Sequence, residues 1–115
     1  LPVAVWSSRA RTLVDAVYDW ARFDSLPRGF GWIRKELAAR RVKVEELVAM
    51  ALEFGDGAAI RRLGWLLDRD GVAARAVRRL EDALPVSSGL VQVDPTKPRR
   101  GRADRRWGVV VNADL

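Results

Sequence analysis

A chain of 115 residues has room for one domain, and with 49% hydrophobic residues it can bury a core without covalent staples. It contains no cysteine and no histidine, which excludes a disulfide framework, a thiolate metal site, and the commonest general base and metal ligand. The net charge of +6 is concentrated: Lys97, Arg99, Arg100, Arg102, Arg105 and Arg106 stand against Asp104 alone, and the rest of the chain is close to neutral.

Residues 1–6 are apolar but carry no basic leader and no cleavage pattern. They read as a strand cut from something longer, with a further domain expected upstream. Ser7 and Ser8 then stand as caps before Leu13, Val14, Val17, Tyr18 and Ala21, which have helical spacing. Within that stretch Asp15 is expected to cap or to pair with Arg11. Residues 24–29, with Ser, Pro and Gly, are loop chemistry. A second helix is expected near 30–40, with Phe30, Ile33 and Leu37 inward. Val44, Leu47, Val48, Ala51 and Leu52 make a third amphipathic face, with Glu45 and Glu46 in its first turn and Gly55 as its stop. Asp56 caps a fourth helix to about Arg69, carrying Ile60, Leu63 and Leu67, and Gly71 breaks it. A fifth carries Ala73, Ala76, Val77, Leu80 and Leu84 up to Pro85.

The pattern changes after Pro85. Residues 90–93 and 107–111 are short, β-branched runs bounded by turn residues, so they read as strands joined by the basic window. The expected fold is α+β: a helical body of about five helices with a small sheet from the C-terminal hairpin, completed by the N-terminal strand.

Little catalytic chemistry is on offer. No G-x-S-x-G elbow, P-loop or G-x-G-x-x-G occurs, so no enzyme activity, catalytic residue, metal or cofactor is expected. Without about 18 consecutive apolar residues no membrane span is expected either, and the absence of cysteine suits a cytoplasmic protein. The basic window reads either as a solvated loop that keeps a small domain soluble, or as a phosphate-contacting arm in which Lys97, Arg99, Arg100, Arg102, Arg105 and Arg106 bind nucleic acid. Six basic residues in ten is denser than solubility needs. Trp107 beside the window starts a strand and packs inward, with stacking on a base as the alternative. Arg61 and Arg62, with Arg75, Arg78 and Arg79 on the next helix, read as one further basic face. Asp68, Glu81 and Asp82 would partly neutralise that face along the helices. Gly64, in the interior of the fourth helix, costs ~1 kcal/mol relative to Ala, which points to the close approach of another backbone.

Three segments in order resemble one family. Ser8-Arg9-Ala10-Arg11-Thr12-Leu13-Val14-Asp15 resembles the S-x-x-R-T-L-V-D-like opening of its C-terminal region. Ile60-Arg61-Arg62-Leu63-Gly64-Trp65-Leu66-Leu67 resembles its R-R-L-G-[YW]-L-L helix. Val93-Asp94-Pro95, Pro98, Gly101 and Arg106-Trp107-Gly108-Val109-Val110-Val111-Asn112 resemble its terminal D-P…P…G…R-W-G…V-N signature. Together these look like the C-terminal domain of the AbiEi abortive-infection antitoxins, regulators in type IV toxin–antitoxin systems. The resemblance implies that residues 1–115 are an antitoxin domain. It also implies an upstream winged helix that represses the operon at its operator DNA, and a functional link to a nucleotidyltransferase-like toxin. A related group joins the first segment to a very-short-patch-type nuclease; no E-x-K occurs here and the tail follows the antitoxin signature, so a nuclease stays only as a remote alternative. Two other readings remain open at this point: a plain nucleic-acid-binding accessory domain, and a structural dimerisation domain using exposed Trp and Leu.

Overall fold

Helix boundaries follow capping chemistry more closely than apolar spacing. A computed structural model describes the backbone of residues 2–23, 25–72, 74–84 and 89–113, and the side chains of these apart from 2–8, 22 and 23. Five helices come first: α1 (Pro2–Tyr18), α2 (Leu26–Ala38), α3 (Val44–Phe54), α4 (Gly57–Arg69) and α5 (Ala74–Asp82). A 3-10 turn (Trp20–Phe23) follows α1. Three short strands complete the order: β1 (Val91–Gln92), β2 (Arg102–Asp104) and β3 (Val109–Val111). The class is therefore α+β, a helical body with a small sheet.

Several boundaries differ from those expected. The N-terminal segment is not a strand. It belongs to α1, where Pro2 at the first helical position removes no helical hydrogen bond, and Ser7 and Ser8 lie inside the helix rather than capping it. The inward face of α1 is Ala10, Leu13, Val14, Ala16 and Val17, while Tyr18 and Ala21 are exposed. Arg11 lies over the Phe54 ring, 3.9 Å from its centroid, rather than forming the expected pair with Asp15. α2 starts at Leu26, because Ser25 is an N-cap whose Oγ accepts the Arg28 amide at 3.3 Å, with Pro27 in the first turn. Residues read as loop are thus a helix start. Gly55 ends α3 and Asp56 caps α4, its Oδ1 accepting the Ala59 amide at 2.8 Å. Gly71, at φ 69°, ends the turn after α4. Ala73 and Pro85 lie outside the described residues.

α4 organises the core. Every residue from Ala59 to Leu67 is buried, because α5, α1 and α3 pack around the helix and β3 covers a remaining side. A helix buried all round should be apolar throughout. Arg61 and Arg62 interrupt that pattern on the side facing the sheet.

The sheet has the order β1-β3-β2. β1 and β3 run parallel, with Val91 opposite Val109. The two strands expected from sequence are therefore not partners in a hairpin. The basic window between them supplies a third strand, β2, which pairs antiparallel with β3 and sets Ala103 opposite Val110. The long connection lets β1 join in parallel, and the hairpin is β2–β3, turning at residues 105–108.

Candidate nucleic-acid interface

The basic window sits on a framework whose backbone groups are accounted for one by one. β1 is an edge strand, and its outward carbonyls would ordinarily be open to pairing with another chain. Here Arg99 and Arg62 cover those of Leu90 and Gln92, and Arg61 ties down the chain just before β1 and the turn before β3. Arg61 Nη1 donates to the Gly89 carbonyl at 2.6 Å and more weakly to that of Gly108 at 3.4 Å. Arg99 Nη2 donates to the Leu90 carbonyl at 2.8 Å, and Arg62 Nε to that of Gln92 at 2.9 Å. Arg61 and Arg62 are only 7% and 8% exposed. Burial pushes the Arg62 guanidinium below its ordinary range, and the nearby charges of Asp56 and Asp94 oppose that shift. The expected exposed basic face containing Arg61 and Arg62 is therefore corrected. Both side chains are spent inside the fold, joining α4 to β1, while Arg75, Arg78 and Arg79 are exposed on α5.

Asn112 fixes the loop that follows β1. Its Oδ1 accepts the Asp94 amide at 2.8 Å, and its Nδ2 donates to the carbonyls of Asp94 at 2.8 Å and Pro98 at 3.1 Å. Asp94 is itself buried, and its Oδ1 accepts from the amide and hydroxyl of Thr96 at 3.0 and 2.6 Å. Gly101 passes so close to the Val111 carbonyl that a Cβ would overlap it. Residues 94–101 are thus pinned to the end of β3 from several sides.

Trp107 anchors the other end of the window. It is 0% exposed, and its ring covers Gly64, where a Cβ would overlap Cζ3 and Cε3 of the indole. The close approach expected at Gly64 is real, but the partner is a ring and not a backbone. Trp107 packs inward and offers no face to a base. Its Nε1 donates to Asp68 Oδ2 at 2.9 Å, and its amide donates to Asp104 Oδ1 at 3.2 Å. Next to it, Arg106 spans two helices: Nη1 reaches Asp68 Oδ1 at 3.0 Å, and Nε reaches Glu81 Oε2 at 2.7 Å. The Arg106 guanidinium holds the Glu81 carboxyl below the usual range, and the same bond raises Arg106. Asp68 and Glu81, expected to neutralise arginines along their own helices, instead hold Arg106 from the sheet.

What remains on the surface is Lys97, Arg100, Arg102 and Arg105, all exposed. Among the described residues none of the four has a carboxylate at ion-pairing distance. Of the six cations of the window together with Arg61 and Arg62, these four are free to meet a ligand, Arg99 and Arg106 are exposed but engaged, and Arg61 and Arg62 are interior. Beside the loop lies a cleft of about 310 Å³ with Trp65 and Arg69 of α4 on one wall and Arg102 and Asp104 of β2 on the other. Sequence reasoning missed Asp68, Glu81, Asp94 and Asn112 as positioning residues. The signals for them were that Asp94 and Asn112 bracket the charged window and stand in the terminal signature, and that Asp68 and Glu81 lie among arginines on α4 and α5.

Compared with protein-family models, with curated proteins and with solved structures, the chain matches none. Among the described residues, no helix is long and apolar enough to cross a membrane.

Proposed function

We propose that the chain is a regulatory domain that binds the nucleic-acid backbone through its C-terminal basic loop, as an antitoxin domain of the AbiEi type. In that role it works beside an upstream winged helix and counters a nucleotidyltransferase-like toxin in the cytoplasm. The observation that carries the binding part is the division of labour among the cations. Arg61, Arg62, Arg99 and Arg106 are used to build and pin the loop, and Lys97, Arg100, Arg102 and Arg105 are presented on it without a carboxylate partner among the described residues. Uncompensated cations on a fixed loop suit a polyanion, whose phosphates they contact with release of counterions. Solubility alone calls for charge but for no fixed geometry.

The antitoxin part rests on the three resembling segments. It is supported by the fact that two of them form one packing unit: Arg61, Arg62 and Gly64 of the first meet Gln92, Trp107 and Gly108 in and beside the second. Dimerisation through exposed Trp and Leu finds less support, because the exposed large apolar residues among those described are Tyr18, Trp32 and Phe54, and Arg11 already covers Phe54. The test is growth rescue. Expressed with its upstream sequence beside a nucleotidyltransferase-like toxin encoded next to it, the protein restores growth, and the same protein retards duplex DNA. Failure of rescue with DNA binding intact would leave an accessory nucleic-acid-binding domain and remove the antitoxin reading.

A further inference from the structure

The two edges of the sheet are finished differently. The outward carbonyls of Leu90 and Gln92 on the β1 edge are covered by Arg99 and Arg62, whereas the outer edge of β2 has no such cover. Which groups β2 turns outward follows from the ladder. Gly108 and Val110 face β1, their carbonyls accepting the amides of Val91 and Val93 at 3.0 Å. Backbone groups alternate in direction along a strand, so Val109 and Val111 face β2 and bond the residues opposite them, Asp104 and Arg102. Ala103, between these two, therefore points its N–H and C=O away from β3, and neither group has a partner among the described residues. Residues 101–103 are exposed. The side chains of Arg102 and Asp104 lie on one face of the sheet, that of Val111 and Val109, and line the same cleft. Among the described residues neither has an ion-pair partner, and the Asp104 carboxylate accepts only the Trp107 amide, on Oδ1 at 3.2 Å.

We infer that the β2 edge is a self-association surface, on which β2 of a second copy of this chain pairs antiparallel about Ala103. Charge order selects this occupant. Across a two-fold axis at Ala103 the two copies of that residue exchange N–H···O=C bonds, and Arg102 of each copy stands opposite Asp104 of the other. Both cross-strand pairs are then of opposite sign and lie on one face of the joined sheet. A partner segment of a single charge would suit only half of the edge, since an acidic one repels Asp104 and a basic one repels Arg102. Many edge strands are protected by shortness and by charge, and β2 has only 3 residues. A protective edge of one sign repels its own copy, however, whereas Arg-Ala-Asp set antiparallel against itself is complementary. So short a pairing buries little surface, which makes the association weak and dependent on concentration. At the dilute concentrations of DNA binding the chain is a monomer with Arg102 available, so this surface stands or falls apart from the nucleic-acid reading.

The experiment is sedimentation equilibrium of the 115-residue chain over a concentration series reaching the millimolar range. The unmodified chain shows a monomer–dimer equilibrium. Arg102→Asp turns both attractive pairs into repulsive ones and weakens association about 10-fold or more, and Asp104→Arg does the same with the opposite sign. An equimolar mixture of these two variants regains dimer, because every opposed pair in the mixed dimer is again of opposite sign. Ala103→Pro removes the outward N–H and leaves the ladder to β3 intact, as proline on an edge strand can. It abolishes association while circular dichroism and the thermal midpoint hold. Asp104→Arg also removes the acceptor of the Trp107 amide. If it does not fold, Arg102→Asp and Ala103→Pro, which leave that bond alone, decide the matter. A chain that stays monomeric throughout the series overturns the inference. So does a folded Ala103→Pro or Arg102→Asp variant that associates like its parent, which would place the contact on another surface. A mixture of the two folded charge variants that remains monomeric overturns the proposed register.

Discussion

Gly64→Ala should be one of the most damaging single-methyl changes in this protein. In an isolated helix the same change stabilises by ~1 kcal/mol. Here the new Cβ would overlap two atoms of the Trp107 ring and lie 2.7 Å from a third, Cη2. The ring is fully buried and tethered through Nε1 to Asp68, so a few tenths of an ångström of adjustment cannot relieve the overlap. The indole must leave its place, at a cost approaching that of truncating a core tryptophan, about 3–5 kcal/mol. With the helix gain set against it, the net loss is about 2–4 kcal/mol, or roughly 10 °C or more in the thermal midpoint of a domain this size. Thermal unfolding followed by far-UV circular dichroism gives the loss, and near-UV dichroism reports the displaced indole. A double-mutant cycle isolates the cause: in a Trp107→Ala background, Gly64→Ala should cost nothing or stabilise. A Gly64→Ala protein with a raised midpoint, or an equal cost in both backgrounds, would refute the packing of sheet on helix described above.

Two further outcomes follow from the loop. Asn112→Ala removes the acceptor for the Asp94 amide and the donor to the Asp94 and Pro98 carbonyls. It should cost about 2–3 kcal/mol at roughly 1 kcal/mol per bond, and hydrogen exchange should quicken in residues 94–101 ahead of the helices. Uniform quickening across the chain would deny Asn112 its local role. Glu81 has its folded-state pKa lowered by Arg106, so its contribution is present above the ordinary glutamate pKa and is lost as pH falls through the lower folded value. Stability should therefore fall on acidification below about pH 4, and Glu81→Gln should flatten that part of the curve relative to the unmodified protein. Glu36, lowered by Arg41, titrates in both and cancels from the difference. Parallel acid limbs in the two proteins would mean that the Arg106 bridge is absent in solution.

The helical body was largely legible because its signals are local. Asp56 as a cap, Gly55 and Gly71 as stops, and the faces of α3 and α5 are each decided within a turn or two of helix. The misread places are those where a local signal had two meanings. Ser25 and Pro27 suit a loop or a helix start equally, and only the Arg28 amide on Ser25 Oγ decides between them. The apolar run of residues 1–6 suits a strand or a buried helix turn, yet Pro2 opens a helix. The sheet was harder because its pairing is non-local. Nothing in residues 102–104, two of them charged, marks a strand until β3 lies beside them. The same holds for the site. Charge density found the window, but sequence could not say which arginines are structural, since that depends on carbonyls such as those of Gly89 and Gln92, 28 and 30 residues away. Arg61 and Arg62, side by side and identical in type with the surface arginines, are distinguished only by the burial of α4 on all sides.

The central claim is that Lys97, Arg100, Arg102 and Arg105 meet nucleic-acid phosphates, and a salt titration of duplex DNA binding tests it most directly. For the unmodified chain the logarithm of affinity should fall linearly with that of salt, by about 0.9 for each phosphate contacted on B-DNA. Replacing Arg100, Arg102 and Arg105 together with alanine should flatten that slope by about 2–3 units. The thermal midpoint should scarcely move, because exposed and unpaired charges contribute little to folding. An unchanged slope in a folded triple variant would contradict the account and return the loop to a solubilising role.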